Sequence, residues 1–397
     1  MVFGSAQRCH HRDVAEDAKS RALDKLTRLA AEPRSLVTFW QESTEVLSSA
    51  LPFYDQPCWY TVDPASLLIT SHYNPNMPAL PPEWLAMEYY DADDVNKVAD
   101  VARSPTGLST LHEATGGDPS ATPRWQANIE YGGDQELIAA LRTSNGVTWG
   151  ALGLYREKGA ELFDDSEQRF LREAAPHLAF GARRSLLFGE ATDPESPQSP
   201  GLLVLREDWK VESATSGAEQ WLAELPDGNI HAGRLPSAIL TVAGRALRTG
   251  RNGDPAEVAM ARVLTRSGAW VVLHGAALQS GTDRRVAVII EPAHPARITS
   301  LLMSAYGLTD RERDVTRLVL QGCSTSEIAA DMIVSPHTVQ QHLKSVFDKT
   351  QVRSRRDLVG KVFFSHYEPR LRDNEHRTLV DKPLRGGPVL QAAPAVH

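Results

Sequence analysis

Apolar positions recur along this chain with two different periods, and the changes of period divide it. Val14, Ala18, Ala22, Leu26 and Leu29 stand at helical spacing on a charged background, and a second helical pattern runs from Leu36 to Leu47. In CWYTVDPASLLITSHY two short apolar runs flank Asp63-Pro64-Ala65-Ser66. Asp followed by Pro favours a type I turn, so the stretch predicts a β-hairpin. A loop-rich middle with Gly116-Gly117 and Gly132-Gly133 follows, then VTWGALGLYRE (147–157), a strand pair or long strand, and a helix from about Ser166 to Leu187. Helices flanking a mostly antiparallel sheet predict an α+β domain over 11–190.

The stretch GEATDPESPQSP (189–200) has three prolines, three acids and no aromatic, and predicts a linker, bounded here as 191–200. From 201 to 294 the pattern is strand, turn, helix through Ala218 to Leu225, a second helix from Ile239 to Leu247, and three strand-like runs, VAMARVLT, WVVLHGAAL and RVAVII. This is a second, smaller α+β domain. From 302 to 367 every pattern is helical. Thr309-x-x-Glu312, Ser324-x-x-Glu327 and Ser354-x-x-Asp357 are capping-box starts, Ser335-Pro336 is a cap followed by a favoured first helical residue, and Gly322 sits where a left-handed residue ends a helix. Four helices are expected, at about 310–320, 325–332, 336–349 and 355–364. The tail, 368–397, is rich in Pro, Gly, Arg and Ala and is expected to be disordered.

Composition narrows the class. Hydrophobic residues at 42% and charged residues at 23% fit globular domains, and a net charge of −8 argues against a uniformly basic coat while leaving room for a local basic face. Cys9, Cys58 and Cys323 are far apart with no CxxC, which predicts neither disulfides nor a zinc module and fits a reducing compartment. The N-terminus lacks the apolar segment of a signal peptide, and aliphatic runs such as VAVII (286–290) fall far short of the ~20 residues of a membrane span. A cytoplasmic protein without membrane contact is expected.

In SPHTVQQHLKSVFDKT (335–350), Val339, Leu343, Val346 and Phe347 form one apolar stripe. His337, Gln340, Gln341, Lys344 and Asp348 fall opposite it. A short helix, a tight turn at 333–335 and this second helix form a helix-turn-helix, whose second helix enters the DNA major groove. Glutamine presents an acceptor and donors that match the adenine edge, and lysine suits guanine or a phosphate. Charge is polarised the same way: 304–334 carries three cations and five acids, whereas 335–361 carries six cations and two acids. Phosphate contacts dominate non-specific affinity, so the basic half is the expected DNA side, with Lys349 and Arg353 among its cations.

The stretch GLTDRERDVTRLVLQGCSTSEIAADMIVSPHTVQQHLKSVFDKTQVRSRRDLV resembles the DNA-binding domain of LuxR/GerE-type transcription regulators, with Leu308-Thr309-x-Arg311-Glu312, Glu327-Ile328-Ala329 and Ser335-x-x-Thr338-Val339-x-x-His342 in register. The resemblance implies a four-helix domain whose fourth helix often mediates dimerisation. It also implies DNA contact by Thr338, Gln340, Gln341 and Lys344, with Ser335 and Arg355 near the backbone. Two positions depart from the family's habit: Gln340 stands where Lys is common, and Gln351 where Gly is common. A left-handed Gln351 would cost roughly 1 kcal/mol.

CWYTVDP, Thr115–Asp118 and WGALGLYRE resemble a GAF-like sensory domain, and the 201–294 pattern resembles a PAS-like one. The expected whole is therefore two α+β sensory domains, GAF-like then PAS-like, before an all-α helix-turn-helix domain. Double-stranded DNA, RNA polymerase and a second copy of the chain are the expected partners. A small-molecule effector is expected against the first sheet, where Trp59, Tyr60, Tyr131 and Trp149 are candidate pocket residues, although each also reads as ordinary core. No cofactor, metal site or catalytic residue is identified. His274 reads as a satisfied strand histidine, and the glycine pairs as turns. Two other readings of the front half stand: dimerisation or partner binding alone, through the 166–187 helix face of Phe170, Leu171, Ala174, Leu178 and Gly181, or a redox-active GAF-like enzyme using Cys58.

Overall fold

The computed structural model describes residues 3–77, 81–90, 94–187, 200–229, 232–252, 258–280, 283–293, 301 and 303–359. The chain divides into two compact units, one holding two sheets with their helices and the other the C-terminal helices. The expected linker falls almost wholly, and the expected tail wholly, outside the described residues.

The first α+β region runs α1 (Phe3–Ala31), α2 (Leu36–Ser48), β1 (Cys58–Val62), β2 (Ile69–Tyr73), α3 (Pro82–Tyr90), α4 (Val98–Arg103), β3 (Leu108–Thr110), α5 (Leu111–Ala114), α6 (Pro123–Glu130), β4 (Gln135–Arg142), β5 (Thr148–Arg156) and α7 (Asp165–Leu187). The β1–β2 hairpin is present and antiparallel. Its connection is longer than a four-residue turn: Asp63 O accepts from Leu67 N–H at 2.8 Å, and Leu67 is left-handed at φ 57°. Asp63 Oδ1 accepts from Ala65 N–H at 2.9 Å, the local bond that makes Asp a turn residue.

The stretch that reads as loops contains α3, α4, α6 and β4. QELIAALR has no alternation because seven of its eight residues are buried, one face against each of two cores. Leu137, Ala139 and Leu141 join Trp59, Leu152 and Leu154 under α1, α2 and α7. Ile138 and Ala140 join Tyr60, Val62 and Ala151 on the other face. Successive strand residues point to opposite faces, so one strand serves both cores.

The second region runs β6 (Gly201–Arg206), β7 (Val211–Ala214), α8 (Ser216–Glu224), α9 (Ser237–Asn252), β8 (Met260–Leu264), β9 (Trp270–Ser280) and β10 (Asp283–Pro292). Its strand order is β7-β6-β10-β9-β8, and that of the first sheet is β2-β1-β5-β4-β3. Both follow second-first-fifth-fourth-third, so the same sheet plan occurs twice.

The two regions share a continuous core in which Ile69, Leu85 and Tyr89 meet Ile239, Val242, Leu203 and Val288. Helix α9 lies against α3 so closely that a Cβ at Gly244 would sit 2.6 Å from Ala86 O. Polar groups tie the same seam. Arg262 reaches Asp63 through Nε at 3.0 Å and a terminal nitrogen at 2.5 Å, with Asp63 1% and Arg262 8% exposed. Asp227 accepts from His72 N–H at 2.8 Å and from Ser237 N–H, at the start of α9, at 3.0 Å.

In the second unit α10 (Asp310–Leu320), α11 (Thr325–Asp331) and α12 (Pro336–Thr350) surround Leu308, Val315, Val319, Ile328, Val339, Leu343, Val346 and Leu358. Of the three expected capping boxes those at Thr309 and Ser324 form, Ser354 Oγ accepts from Asp357 N–H at 3.0 Å, and Ser335 caps α12. Gly322 is left-handed at φ 88°. Residues 355–359 are helical, and the described residues end there.

Candidate nucleic-acid interface and ligand cavity

Helix α12 follows α11 through a turn whose geometry is set by backbone bonds. Val334 N–H donates to Ala329 O at 3.0 Å, and Ile333 adopts φ 55° with its side chain 91% exposed. Val339, Leu343, Val346 and Thr350 are buried on one side of α12. His337, Gln340, Gln341 and Lys344 are exposed, as the 3.6-residue period requires.

These exposed residues are not equally free. Ser335 Oγ accepts from Thr338 N–H at 3.1 Å, so both serve the helix start. Gln341 Nε2 lies 3.2 Å from His337 Nε2 one turn earlier, which aligns the two side chains along the surface. Gln340 Nε2 donates to Thr325 Oγ1 at 3.2 Å, and Arg355 donates to the same oxygen at 3.0 Å and to Cys323 O at 2.9 Å. Lys344 and Arg353 are exposed.

Lys349 is placed against Glu312, with Nζ 2.6 Å from Oε2, and Ser345 Oγ donates to Oε1 at 2.6 Å. Glu312 also accepts from Thr309 N–H at 2.7 Å to complete its capping box. Burial alone would raise the Glu312 carboxyl, but the bonds from Lys349, Ser345 and Thr309 outweigh it and hold the group below the usual carboxylate range. One carboxylate therefore fixes α12 against the start of α10. The capping spacing was legible; the partners 33 and 37 residues away were not. Gln351 is left-handed at φ 57°, ψ 42°, a conformation strained for a residue other than glycine.

In the first α+β region a cavity of about 90 Å³ opens between the first sheet, α3 and α6. Tyr60 and Tyr131 line it; Trp59 and Trp149 do not. Trp59 alternates with Tyr60 on β1 and so faces the opposite core, where it stacks on Trp40 at 4.5 Å and donates to Thr44 Oγ1 at 3.0 Å. Trp149 is 1% exposed. Cys58 also lines the cavity, but burial pushes its thiol up to about 11, so it is held protonated and weakly nucleophilic.

The cavity also holds a cluster that sequence reasoning missed. Arg124 of α6 lies 2.5 Å from Glu88 of α3, 2.8 Å from Asp94 and 3.6 Å from Glu136 of β4. No spacing signals it, because the four residues come from separate elements. His274, which does not line the cavity, lies 3.3 Å from Glu291. Among the described residues no group of three His, Cys, Asp or Glu side chains is arranged to hold a metal ion, and no helix is long and apolar enough to cross a membrane.

The profile of the family described as "Bacterial regulatory proteins, luxR family" matches residues 307–362. An HTH-type transcriptional regulator of Mycobacterium tuberculosis is 52% identical over 55 residues, 14% of this chain and 6% of that protein. The chain thus spans only a small part of that relative's length. Spore germination protein GerE of Bacillus subtilis is 38% identical over 55 residues, 14% of this chain and 74% of that protein. Transcriptional regulatory protein DesR of the same organism is 32% identical over 67 residues, 17% of this chain and 34% of that protein. The solved phage VqmA-DPO complex aligns over 46% of this chain and 88% of its own at 14% identity, with a TM-score of 0.17. The Escherichia coli DhaR(N)-DhaL complex aligns over 71% and 89% at 11% identity, with a TM-score of 0.20. Scores this low assign no fold.

Proposed function

The chain belongs to the luxR family of bacterial regulatory proteins through its C-terminal domain, and from that premise we propose that it is a sequence-specific, double-stranded-DNA-binding transcriptional regulator. In this reading it is a homodimer that acts on RNA polymerase, and its four-helix domain is completed by a helix beginning at 355. The N-terminal half of α12 enters the major groove. His337, Thr338, Gln340, Gln341 and Lys344 face the bases, Ser335 lies at the backbone, and Lys349, Arg353 and Arg355 supply phosphate contacts. Lys349 and Arg355 act first as positioning groups, through their bonds to Glu312, Thr325 and Cys323.

The observation that carries this reading is the row His337, Gln341 and Lys344, exposed on a helix whose opposite side is buried and whose approach is set by a four-residue turn. The front regions are GAF-like and PAS-like sensory domains that respond to a small molecule. Their repeated sheet plan and the cavity against the first sheet support this. The effector acts through unequal affinity for two arrangements of the dimer, which changes the spacing of the two reading helices.

Fluorescence anisotropy with genomic DNA fragments at several salt concentrations tests the output. Lys344→Ala is expected to lower the salt slope by about one. Gln341→Ala is expected to relax discrimination at one base pair by about 1–3 kcal/mol. Equal binding of wild type and a Gln340→Ala, Gln341→Ala, Lys344→Ala variant to every DNA would sink the proposal.

A further inference from the structure

Resting on the small-molecule reading above, we infer that the front cavity binds an organic cation carrying a hydrogen-bond acceptor, such as an amino alcohol. Charge is the first argument. Asp55, Glu88, Asp94 and Glu136 line the cavity against the single guanidinium of Arg124. Burial pushes the Glu88 carboxyl up, and the other three carboxyl groups still outnumber the one cation. Lys97 is buried at the start of α4 but lies outside the lining.

The walls are the second argument. Tyr54, Tyr60, Trp84, Tyr131 and Tyr155 surround the space, and Trp84 meets Tyr131 edge to face at 5.0 Å. Electron-rich ring faces combined with excess carboxylate form a site for a cationic head, more so where water is excluded. The cation is organic rather than a metal ion, because Arg124 already occupies the carboxylate cluster and the remaining walls are aromatic.

Unpartnered polar atoms are the third. Asn128, 7% exposed, lines the cavity, and its Nδ2 donates to nothing among the described residues. Asp94 Oδ1 is likewise buried without a donor. Buried polar atoms are almost always satisfied, so two orphans on one cavity wall point to an absent partner. Asn128 asks for an acceptor on the ligand and Asp94 for a donor. About 90 Å³ is room for roughly six water-sized spheres, which bounds the ligand to a small molecule.

The test titrates the full chain with ethanolamine, choline, the neutral choline isostere 3,3-dimethylbutan-1-ol, and 3-hydroxypropionate. Trp84, at the cavity, gives a fluorescence readout. At least one of the two cations is expected to bind saturably and at least ten-fold more tightly than the neutral alcohol. Asp94→Asn is expected to weaken that cation at least ten-fold while leaving the alcohol unchanged. Tyr131→Ala, at an exposed position, is expected to weaken it several-fold with an unchanged melting temperature. Alcohol or anion binding as tight as the cations overturns the cation while leaving a small-molecule sensor. If no probe binds, native mass spectrometry of the full chain decides. An adduct containing a basic nitrogen supports the inference, an adduct lacking one overturns it alone, and a bare chain overturns both it and the sensory reading.

Discussion

Glu312 in the C-terminal domain and Asp63 in the front unit are both buried carboxylates, yet their partners lie at very different ranges. Glu312 closes a capping box three residues from Thr309 and reaches Lys349, 37 positions on. Asp63 meets Arg262 across 199 positions, and Asp227 meets His72 across 155. The small domain satisfies its polar groups mainly within a helical turn or between neighbouring helices. At its seam the front unit satisfies them only once two separate sheets have docked. Contacts of such separation form after chain entropy has been lost, so the front unit depends on assembly where the C-terminal domain depends on local signals.

Four measurements break or sharpen this contrast, from the largest effect to the smallest. All eight tryptophans lie between Trp40 and Trp270, so their fluorescence reports the front unit, while helical circular dichroism reports both. Asp63→Ala removes the carboxylate that Arg262 meets across the seam. Urea unfolding followed by tryptophan fluorescence is expected to show a loss of about 3–5 kcal/mol, with the DNA-binding domain's transition unmoved. A loss under 1 kcal/mol would mean that the Asp63–Arg262 pair adds little to the seam.

Acidification comes next. Burial lowers the His72 imidazole from 6.5 to about 4, so the folded state holds it neutral while the unfolded state protonates. The stability this group contributes is full above pH 6.5 and is lost as pH falls towards 4, amounting to about 3 kcal/mol. Comparison with His72→Asn isolates the ring, because Asp227, whose carboxyl burial pushes up, titrates in both proteins. Glu312 is depressed instead, so its contribution is lost only as pH falls through the carboxylate range. The front unit is therefore expected to weaken first between pH 6.5 and 4.5, and the reverse order would contradict the assignment of both groups.

Glu312→Ala removes a cap and two ties to α12. A loss of about 2 kcal/mol is expected in the C-terminal transition, with tryptophan fluorescence unchanged. The smallest effect is a gain: Gln351→Gly relieves a left-handed residue and is expected to stabilise the same transition by roughly 1 kcal/mol. No change there would show that the bond from Gln351 Nε2 to Asp348 O, 2.8 Å, already offsets the strain.

The helix starts at Thr309, Ser324 and Ser335, the stop at Gly322 and the exposed row on α12 could all be read from spacing, because a cap and its helix are three or four residues apart. The β1–β2 hairpin was legible for the same reason. Strand β4 was not, since burial on both faces erased its alternation, and helices α3, α4 and α6 were lost in the same loop-rich stretch. Of the candidate pocket residues, Trp59 and Tyr60 split along the pleat of β1, and Tyr131 stands at the end of α6. Tyr60 and Tyr131 reach the cavity, whereas Trp59 belongs to the core behind the sheet. Nothing in the chain near Arg124 announced Glu88, Asp94 and Glu136.

By itself, then, the sequence determined the helix-turn-helix: its helix boundaries, its caps, its buried stripe and its exposed row. Each of these depends on periodicity and on bonds within one or two turns. Only the tertiary structure decided that two sheets share one core, that Lys349 braces α12 through Glu312, and that four charged side chains from separate elements meet in one aromatic-walled cavity. Such juxtapositions depend on which surfaces dock after the elements have formed, and residue order carries no short-range trace of that docking.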